Sequence, residues 1–322
     1  MKLTIVIVNY KVKDLLLQCL DCIRRSRIPF DCETVVVDND SDDGSCEAVA
    51  RLFPEVRYIS LTENAGFAKA NNLAIRQSQA DYVLLLNPDT ILPEDLLQSV
   101  VSFADKADNL GALGVKMLDT QGRFLPESKR NVPTLWNAFL KMSGLGRLTG
   151  CNPYYCQRVG ADEVGCVPVL AGAFMLLNRK ALGDVCLLDE DFFMFGEDID
   201  LSVRIREAGR DNYYVPFEML HYKGESTCQN YKRYISDFYT AMRVYYRKHA
   251  VSGGGFVTLC TRLLERLHLA VAGLQPKPQP DEPLLLDASR LTYSDILNEV
   301  KTQGRGRSLR ILHPDLQIEI PC

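Results

Sequence analysis

The 322-residue sequence has one Trp, four His and no basic surplus: 37 Lys and Arg stand against 41 Asp and Glu, a net charge of -4. A groove that neutralises many phosphates shows itself as a basic excess, so nucleic acid is excluded as a main partner and any phosphate recognition is local. No apolar run reaches the length of a bilayer span without interrupting charges. Between Met1 and the first strand-like run, TIVIVNY, there is no basic leader and no long apolar segment with a small-residue cleavage site, which predicts a cytoplasmic chain without a secretory signal. The continuation TIVIVNYKVKD contains no glycine. That excludes the G-x-G-x-x-G turn of a dinucleotide-dependent oxidoreductase and disfavours the glycine-rich basic loop of a sugar nucleotidyltransferase. No internal repeat is visible.

Cysteine is not scarce, at eleven residues. An odd number scattered over a long chain fits reduced thiols better than a disulfide framework. Cys19 and Cys22 form a C-x-x-C, and Cys151, Cys156 and Cys166 offer three thiolates for zinc. Against both stands the habit of cysteine as a small buried hydrophobe. The C-x-x-C falls within a helical apolar stripe, and no fourth ligand has a suitable spacing, so the expectation is structural thiols.

What is abundant is apolar: 47% of residues are hydrophobic and 24% charged, the balance of a globular protein. Short apolar runs at Leu3 to Val8, Thr34 to Asp38, Arg57 to Leu61, Tyr82 to Asn87 and Ala112 to Met117 read as buried strands. Helical patterns separate them at Val12 to Ser26, Phe67 to Gln79 and Glu94 to Ala107, giving a βαβαβ layout: an α/β fold whose central, mostly parallel sheet is flanked by helices. After about Thr120 the rhythm loosens, with a strand in AGAFMLL, a helix in GEDIDLSVRIREAG and a strand in NYYVP.

Gln229 to His249 reads as a tyrosine-rich amphipathic helix, broken by Gly253 to Gly255, and a C-terminal helical extension follows. In it, Phe256, Cys260, Leu263, Leu267, Ala270 and Leu274 form a stripe with Arg262, Arg266 and His268 off it. Two readings stand: an interfacial helix over 256–274 lying on a membrane, or a helix packed on the core. QPKPQPDEP is a proline-rich linker, LTYSDILNEV one short helix and RSLRILHPDLQIEI a strand, with no function assigned to this tail.

Polar residues collect where the strands end, and in an open α/β sheet these ends line the ligand crevice. They are Asn9 and Tyr10, Asp38 to Asp43, Asn64, and Asn87 to Asp89. The Asn, Asp, Ser and Gly of DNDSDDGS are equally what a turn and a helix N-cap require, so Asp38 and Asn39 carry both readings. Asn64 and Gly66 open the helix FAKANNLAIRQ, whose unpaired amides and glycine admit an anion or sugar. In the later helix, Asp200 and Arg204 are four apart and read as a structural pair, with Leu201 and Ile205 facing the core.

TIVIVNY, VVVDNDSDDGS, NAGFAKANN, LLLNPDT, AGAFMLL, DEDFFMFGEDIDLSVRIREAG and HYKGES occur in this order. Over roughly Leu3 to Ala250 the chain thereby resembles the inverting glycosyltransferases of family 2, with the GT-A fold, and among them the rhamnosyltransferase-like members. The resemblance implies one GT-A domain over 1–250, its nucleotide-binding half at 1–118 and its acceptor half at 119–250. An amphipathic helix at 251–274 and a linker and tail at 275–322 complete the expected organisation.

The same resemblance implies the site. Asp38 would accept from a pyrimidine N–H, with Asn9, Tyr10, Asn39, Asn64, Gly66, Asn87 and Asp89 around the nucleotide sugar. Asp198 would be the base and Glu197 would orient the acceptor. Asn87-Pro88-Asp89 stands where the family has an Asp-x-Asp, so the first carboxylate is here an amide. One carboxylate, diphosphate oxygens and water still suit Mg²⁺ or Mn²⁺, and Asp89 with His221 would bracket that ion. On its own a lone histidine is more often structural; its place in this motif order favours the ligand or diphosphate role, with a hydrogen-bonded structural His221 as the alternative. The sole tryptophan, Trp136, is not in the Gln-x-x-Arg-Trp element of processive synthases, which implies single additions. The expected partners are a nucleotide-sugar donor, dTDP-rhamnose before UDP-sugars, and a glycan or lipid-linked saccharide acceptor at the inner face of the cell membrane. A non-catalytic sugar-binding homologue remains the alternative of a different class.

Overall fold

The computed structural model describes residues 1–134, 153–222, 231–249, 254–271 and 283–321. Trp136, Cys151, Lys223 to Ser226, Gly253, Leu274 and the proline-rich linker up to Glu282 lie outside the described residues, as do the side chains of Phe256, Cys260, Leu267, His268 and Ala270.

The first half alternates as β1 (Leu3–Asn9), α1 (Lys13–Arg25), β2 (Cys32–Asp38), α2 (Ser45–Leu52), β3 (Arg57–Ser60), α3 (Phe67–Gln77) and β4 (Tyr82–Leu86). A two-residue β5 (Thr90–Ile91), α4 (Leu96–Ala104) and the long β6 (Leu110–Leu118) follow. Every residue of β1 and β4 is buried, as expected of strands covered by helices on both faces. The second half contains β7 (Lys129–Arg130), β8 (Gly165–Cys166), β9 (Val169–Leu170), β10 (Phe174–Leu177), α5 (Arg179–Leu182), α6 (Glu197–Glu207) and β11 (Asp211–His221). Then come α7 (Tyr231–His249) and α8 (Gly254–Val271).

The main sheet runs β3-β2-β1-β4-β10-β6-β11-β5, with β8 beside β11. β3, β2, β1 and β4 are parallel, β10 is antiparallel to both β4 and β6, and β11 is parallel to β6. The sequence marks AGAFMLL as a strand but not its place. Wedged between β4 and β6, β10 joins the two halves into one sheet, and Phe174, Met175, Leu176 and Leu177 are all buried there. β5 pairs antiparallel with the end of β11, Thr90 opposite His221, so two residues distant in sequence meet at one sheet edge.

The C-terminal segment is a correction to the reading as linker and tail after a helical extension. β12 (Leu284–Asp287), α9 (Tyr293–Gln303), β13 (Leu309–His313) and β14 (Ile318–Pro321) form a three-stranded sheet with a helix. Leu284 and Leu286 are buried while Leu285 is 56% exposed, a strand alternation that the adjoining prolines conceal. Tyr293, Ile296, Leu297, Val300, Leu309 and Ile311 share one apolar core with β1 and α1. Helix α9 has a Thr292–Asp295 capping box, and its first amides also donate to Glu94, from Tyr293 N at 2.5 Å and Ser294 N at 3.0 Å.

In that unit His313 is buried, and burial pulls its pKa down to about 4. The fold therefore holds the neutral ring, whereas the unfolded chain takes up a proton below about pH 6.5. The stabilisation is fully present above that pH and is lost as pH falls towards 4, in total on the order of 3 kcal/mol. Glu197 acts oppositely: burial, reinforced by the charge of Asp198, raises its pKa, so its contribution declines as pH rises above the ordinary carboxylate range. The difference between wild type and His313→Gln isolates the histidine. Urea unfolding at pH 7 and 5 should show the variant losing less stability on acidification; parallel losses would refute the assignment.

Candidate active site

A cavity of about 510 Å³ opens at the strand ends. From the first half it is lined by Tyr10, Asn39, Asn64, Gly66, Asn87 and Asp89; from the second by Arg130, Glu197, Asp198 and His221. Most of the site residues named from the sequence thus meet in one place.

Asn9 and Asp38 do not line it. Asn9 donates to Asp38 Oδ1 at 2.7 Å, and Asp38 also receives the Ser41 amide at 3.0 Å and the Ser41 hydroxyl. Both are buried beneath the floor and tie β1 to the turn after β2. Its oxygens thus accept from Asn9 of β1 and from the Ser41 turn, as the turn reading of Asp38 expects. Asp43 has a similar task, accepting from the amides of Lys13 and Ser45 at the starts of α1 and α2. Asn39 does reach the cavity, and its side chain holds the next loop through Ala65 N and Gly66 O.

Gly66 has φ of 86°, and a Cβ there would lie 2.6 Å from the Phe193 carbonyl oxygen. Its bareness serves the contact between α3 and the Phe193 loop, where Phe67 N donates to Phe193 O at 2.8 Å. The close approach foreseen for a ligand is thus made first by the protein's own backbone.

Asp89 and His221 face each other across the β5–β11 pair, Oδ1 to Nε2 3.3 Å. Burial opposes ionisation of Asp89, but the His221 contact wins and lowers its pKa, keeping a carboxylate. Two donors at this spacing fit a divalent ion that takes its other ligands from diphosphate and water. Among the described residues there is no group of three or more His, Cys, Asp or Glu able to hold a metal alone. Cys19 and Cys22 are buried in α1, and burial pushes the Cys19 thiol up to about 12, as for a structural residue.

Also lining the cavity, Glu197 and Asp198 begin α6, after Phe195 and Gly196 in left-handed conformations. Asp198 Oδ2 accepts from Gly172 N at 3.0 Å and from Arg130 Nη2 at 2.5 Å. Arg130 also donates to Leu170 O, and although burial disfavours its charge, Asp198 more than restores it, raising its pKa. Glu197 is 7% exposed, its Oε2 has no partner, and its raised pKa favours the neutral acid. The environments divide the two acids into an ion-paired carboxylate and an O–H donor. One turn on, Arg204 Nε donates to Asp200 Oδ2 at 2.7 Å while Leu201 and Ile205 are fully buried, as the spacing indicates.

Arg130 escaped the sequence reading because KRN carries no motif. Lys11, Phe193, Arg233 and Tyr234 also line the cavity and were missed. Phe193 is 39% exposed, in a loop where only Phe192 is buried.

A mannosyltransferase of Pyrobaculum calidifontis, solved with GDP-Man and Mn²⁺, superimposes with a TM-score of 0.53 at 19% identity, covering 86% of this chain and 76% of that one. The fold is that of the GT-A glycosyltransferases. N-acetylglucosaminyl-diphospho-decaprenol L-rhamnosyltransferase of Mycobacterium tuberculosis is 32% identical over 209 residues, 60% of this chain and 67% of that protein. Rhamnosyltransferase WbbL of Escherichia coli K12 is 26% identical over 196 residues, 58% of this chain and 72% of that protein. Residues 4–161 match the family Glycosyl transferase family 2. The chain belongs to that family, as a rhamnosyltransferase-like glycosyltransferase.

Proposed function

We propose that the protein transfers a single sugar from a nucleoside-diphosphate sugar to an acceptor hydroxyl by direct displacement, inverting the anomeric carbon. The observation that carries this reading is one cavity lined both by the Asp89–His221 pair and by Asp198 with Glu197. The acceptor oxygen attacks the anomeric carbon, its proton passes to Asp198, and the bond to the diphosphate breaks. Glu197 donates its O–H to the acceptor, and Asn39, Asn64, Asn87 and Tyr10 surround the nucleotide sugar. Asn9 and Asp38 set the floor on which these rest. A divalent ion, Mg²⁺ or Mn²⁺, held by Asp89 and His221, would supply charge compensation for the departing diphosphate.

The donor we favour is dTDP-rhamnose, because two relatives are named rhamnosyltransferases. The acceptor class is a glycan or lipid-linked saccharide, since one of those relatives is named for a decaprenol-linked sugar. Thermal-shift titration with dTDP-rhamnose and UDP-sugars, with and without Mn²⁺, tests the reading. Binding to the folded state at a hundred times the dissociation constant adds about 2.7 kcal/mol. A melting transition unmoved by every nucleotide sugar would overturn it.

Among the described residues no helix is long and apolar enough to cross a membrane. Helix α8 does expose Leu259 and Leu263, 66% and 59%, beside exposed Arg262 and Arg266, while Thr261 is buried and Glu265 pairs with Arg243. An outward face of leucines and arginines supports the interfacial reading, on the inner face of the cell membrane. Sedimentation with anionic vesicles should show binding that Leu259→Ser with Leu263→Ser abolishes; equal sedimentation of the variant would return α8 to the role of a packing helix.

A further inference from the structure

The C-terminal unit, 283–321, lies beyond the residues matched by the family and contributes nothing to the cavity lining. It nevertheless reaches the cavity through hydrogen bonds. His313 at the end of β13 sits against Gln18 of α1, Nε2 to Nε2 2.8 Å. The amide must donate there, so the imidazole Nε2 accepts and its proton is on Nδ1, consistent with a ring kept neutral by burial. The other end of the Gln18 amide, Oε1, accepts from the Tyr222 hydroxyl at 2.6 Å. Gln18 is fully buried, and His313 and Tyr222 are nearly so. Water is therefore a poor substitute for a lost partner.

Tyr222 directly follows His221, and its amide donates to the Asp89 carbonyl at 3.0 Å. One residue is thus held by its backbone to one member of the Asp89–His221 pair and is bonded in sequence to the other. Helix α1 adds a second brace: Cys19 Sγ lies 3.8 Å from Asn87 O and 3.7 Å from the Thr90 hydroxyl, on either side of Asp89. Gln18 and Cys19 are adjacent, so the position of α1 sets both strands of the β5–β11 edge. His313 fixes one end of the Gln18 amide, and the unit is anchored on α1 again by Tyr293 Oη to Asp21 at 2.7 Å and by Arg25 to Ala288 O at 2.6 Å.

We propose that the C-terminal unit is a positioning element of the active site, acting through the buried chain His313–Gln18–Tyr222 to hold Asp89 and His221 at the spacing that grips a diphosphate and its divalent ion. The proposal rests on the nucleotide-sugar reading of the cavity. His313, Gln18 and Tyr222 are positioning residues and touch no substrate. Loss of the chain lets the β5–β11 edge relax and weakens the diphosphate end of the site, leaving Asp198 and Glu197 in place. A shift of a few tenths of an ångström at a metal site is felt in affinity first, as with outer residues that orient ligands.

The test compares His313→Leu, which removes the acceptor, His313→Gln, whose amide oxygen can accept from Gln18, and Tyr222→Phe, which deletes one hydroxyl. Val300→Ala, buried in the same unit away from the chain, is the control for loss of stability alone. Affinity for dTDP and UDP in Mn²⁺ is measured by calorimetry, and kcat and donor KM where turnover is found. His313→Leu and Tyr222→Phe should weaken nucleotide binding on the order of three- to tenfold, with kcat changed less than KM. His313→Gln should recover most of the loss, and Val300→Ala should lower the melting temperature with affinity unchanged. Equal affinity in all four, or a loss in Val300→Ala that matches His313→Leu, would overturn the proposal. If the wild type binds neither nucleotide, it is the nucleotide-sugar reading that fails, and the proposal with it.

Discussion

Replacing Asp198 by Asn should lower kcat on the order of 10³-fold, the scale of a lost general base, while nucleotide affinity changes by less than about twofold. The amide is nearly isosteric, so Gly172 N retains an acceptor and the start of α6 its geometry. The amide oxygen cannot take the acceptor's proton. Glu197 cannot replace it, because burial, the largest cause of its raised pKa, is unchanged in the variant and favours the protonated form. Single-turnover transfer to a saccharide acceptor beside calorimetry with the nucleoside diphosphate separates the two effects. Turnover at the wild-type rate would remove Asp198 from the mechanism.

Arg130→Gln is the second large effect, and it reaches stability as well as rate. Arg130 is 9% exposed and bridges Leu170 O and Asp198, so its loss leaves a carboxylate without its counter-charge in a confined wall. Breaking such a pair costs about 3–5 kcal/mol. The freed Asp198 side chain would also leave its position, and a misplacement near 1 Å is worth about 10²-fold in rate. Both contacts come from Nη2, so Arg130→Lys keeps the charge and a donor but on a shorter, unbranched stem that places it differently, and it should fall between. Urea denaturation and initial rates on the three proteins test this ordering; a variant as stable and active as wild type would show that the pair is incidental.

The two effects concern residues of unequal visibility. Asp198 stands in a motif whose acids open a helix, and β1, β2, β4 and β6 announce themselves as apolar runs of strand length. Strand ends converge by topology, which is why Asn39, Asn64, Asn87 and Asp89 could be grouped before any coordinates. Arg130 lies in a two-residue strand whose partner is β9, some forty positions away, and such a pairing leaves no local pattern. Asp38 was legible as a strand-end carboxylate. Its direction was not, because the competition between a ligand and the Ser41 turn is decided by side-chain geometry. The C-terminal unit was obscured for another reason: its strands are four or five residues long and gain their stability from packing on α1, so their own propensities are weak.

The contact between Gly66 and the Phe193 carbonyl bears on any attempt to recombine this protein with its relatives. It is a seam: one side comes from the part of the chain that precedes β4, the other from the loop before α6. A chimaera that takes its acceptor-side loop from a relative inherits a foreign backbone at position 193, and there is no side chain at position 66 to trim in compensation. Residues 64–67 and 192–196 therefore have to be exchanged as one cassette, although well over a hundred residues separate them in the chain.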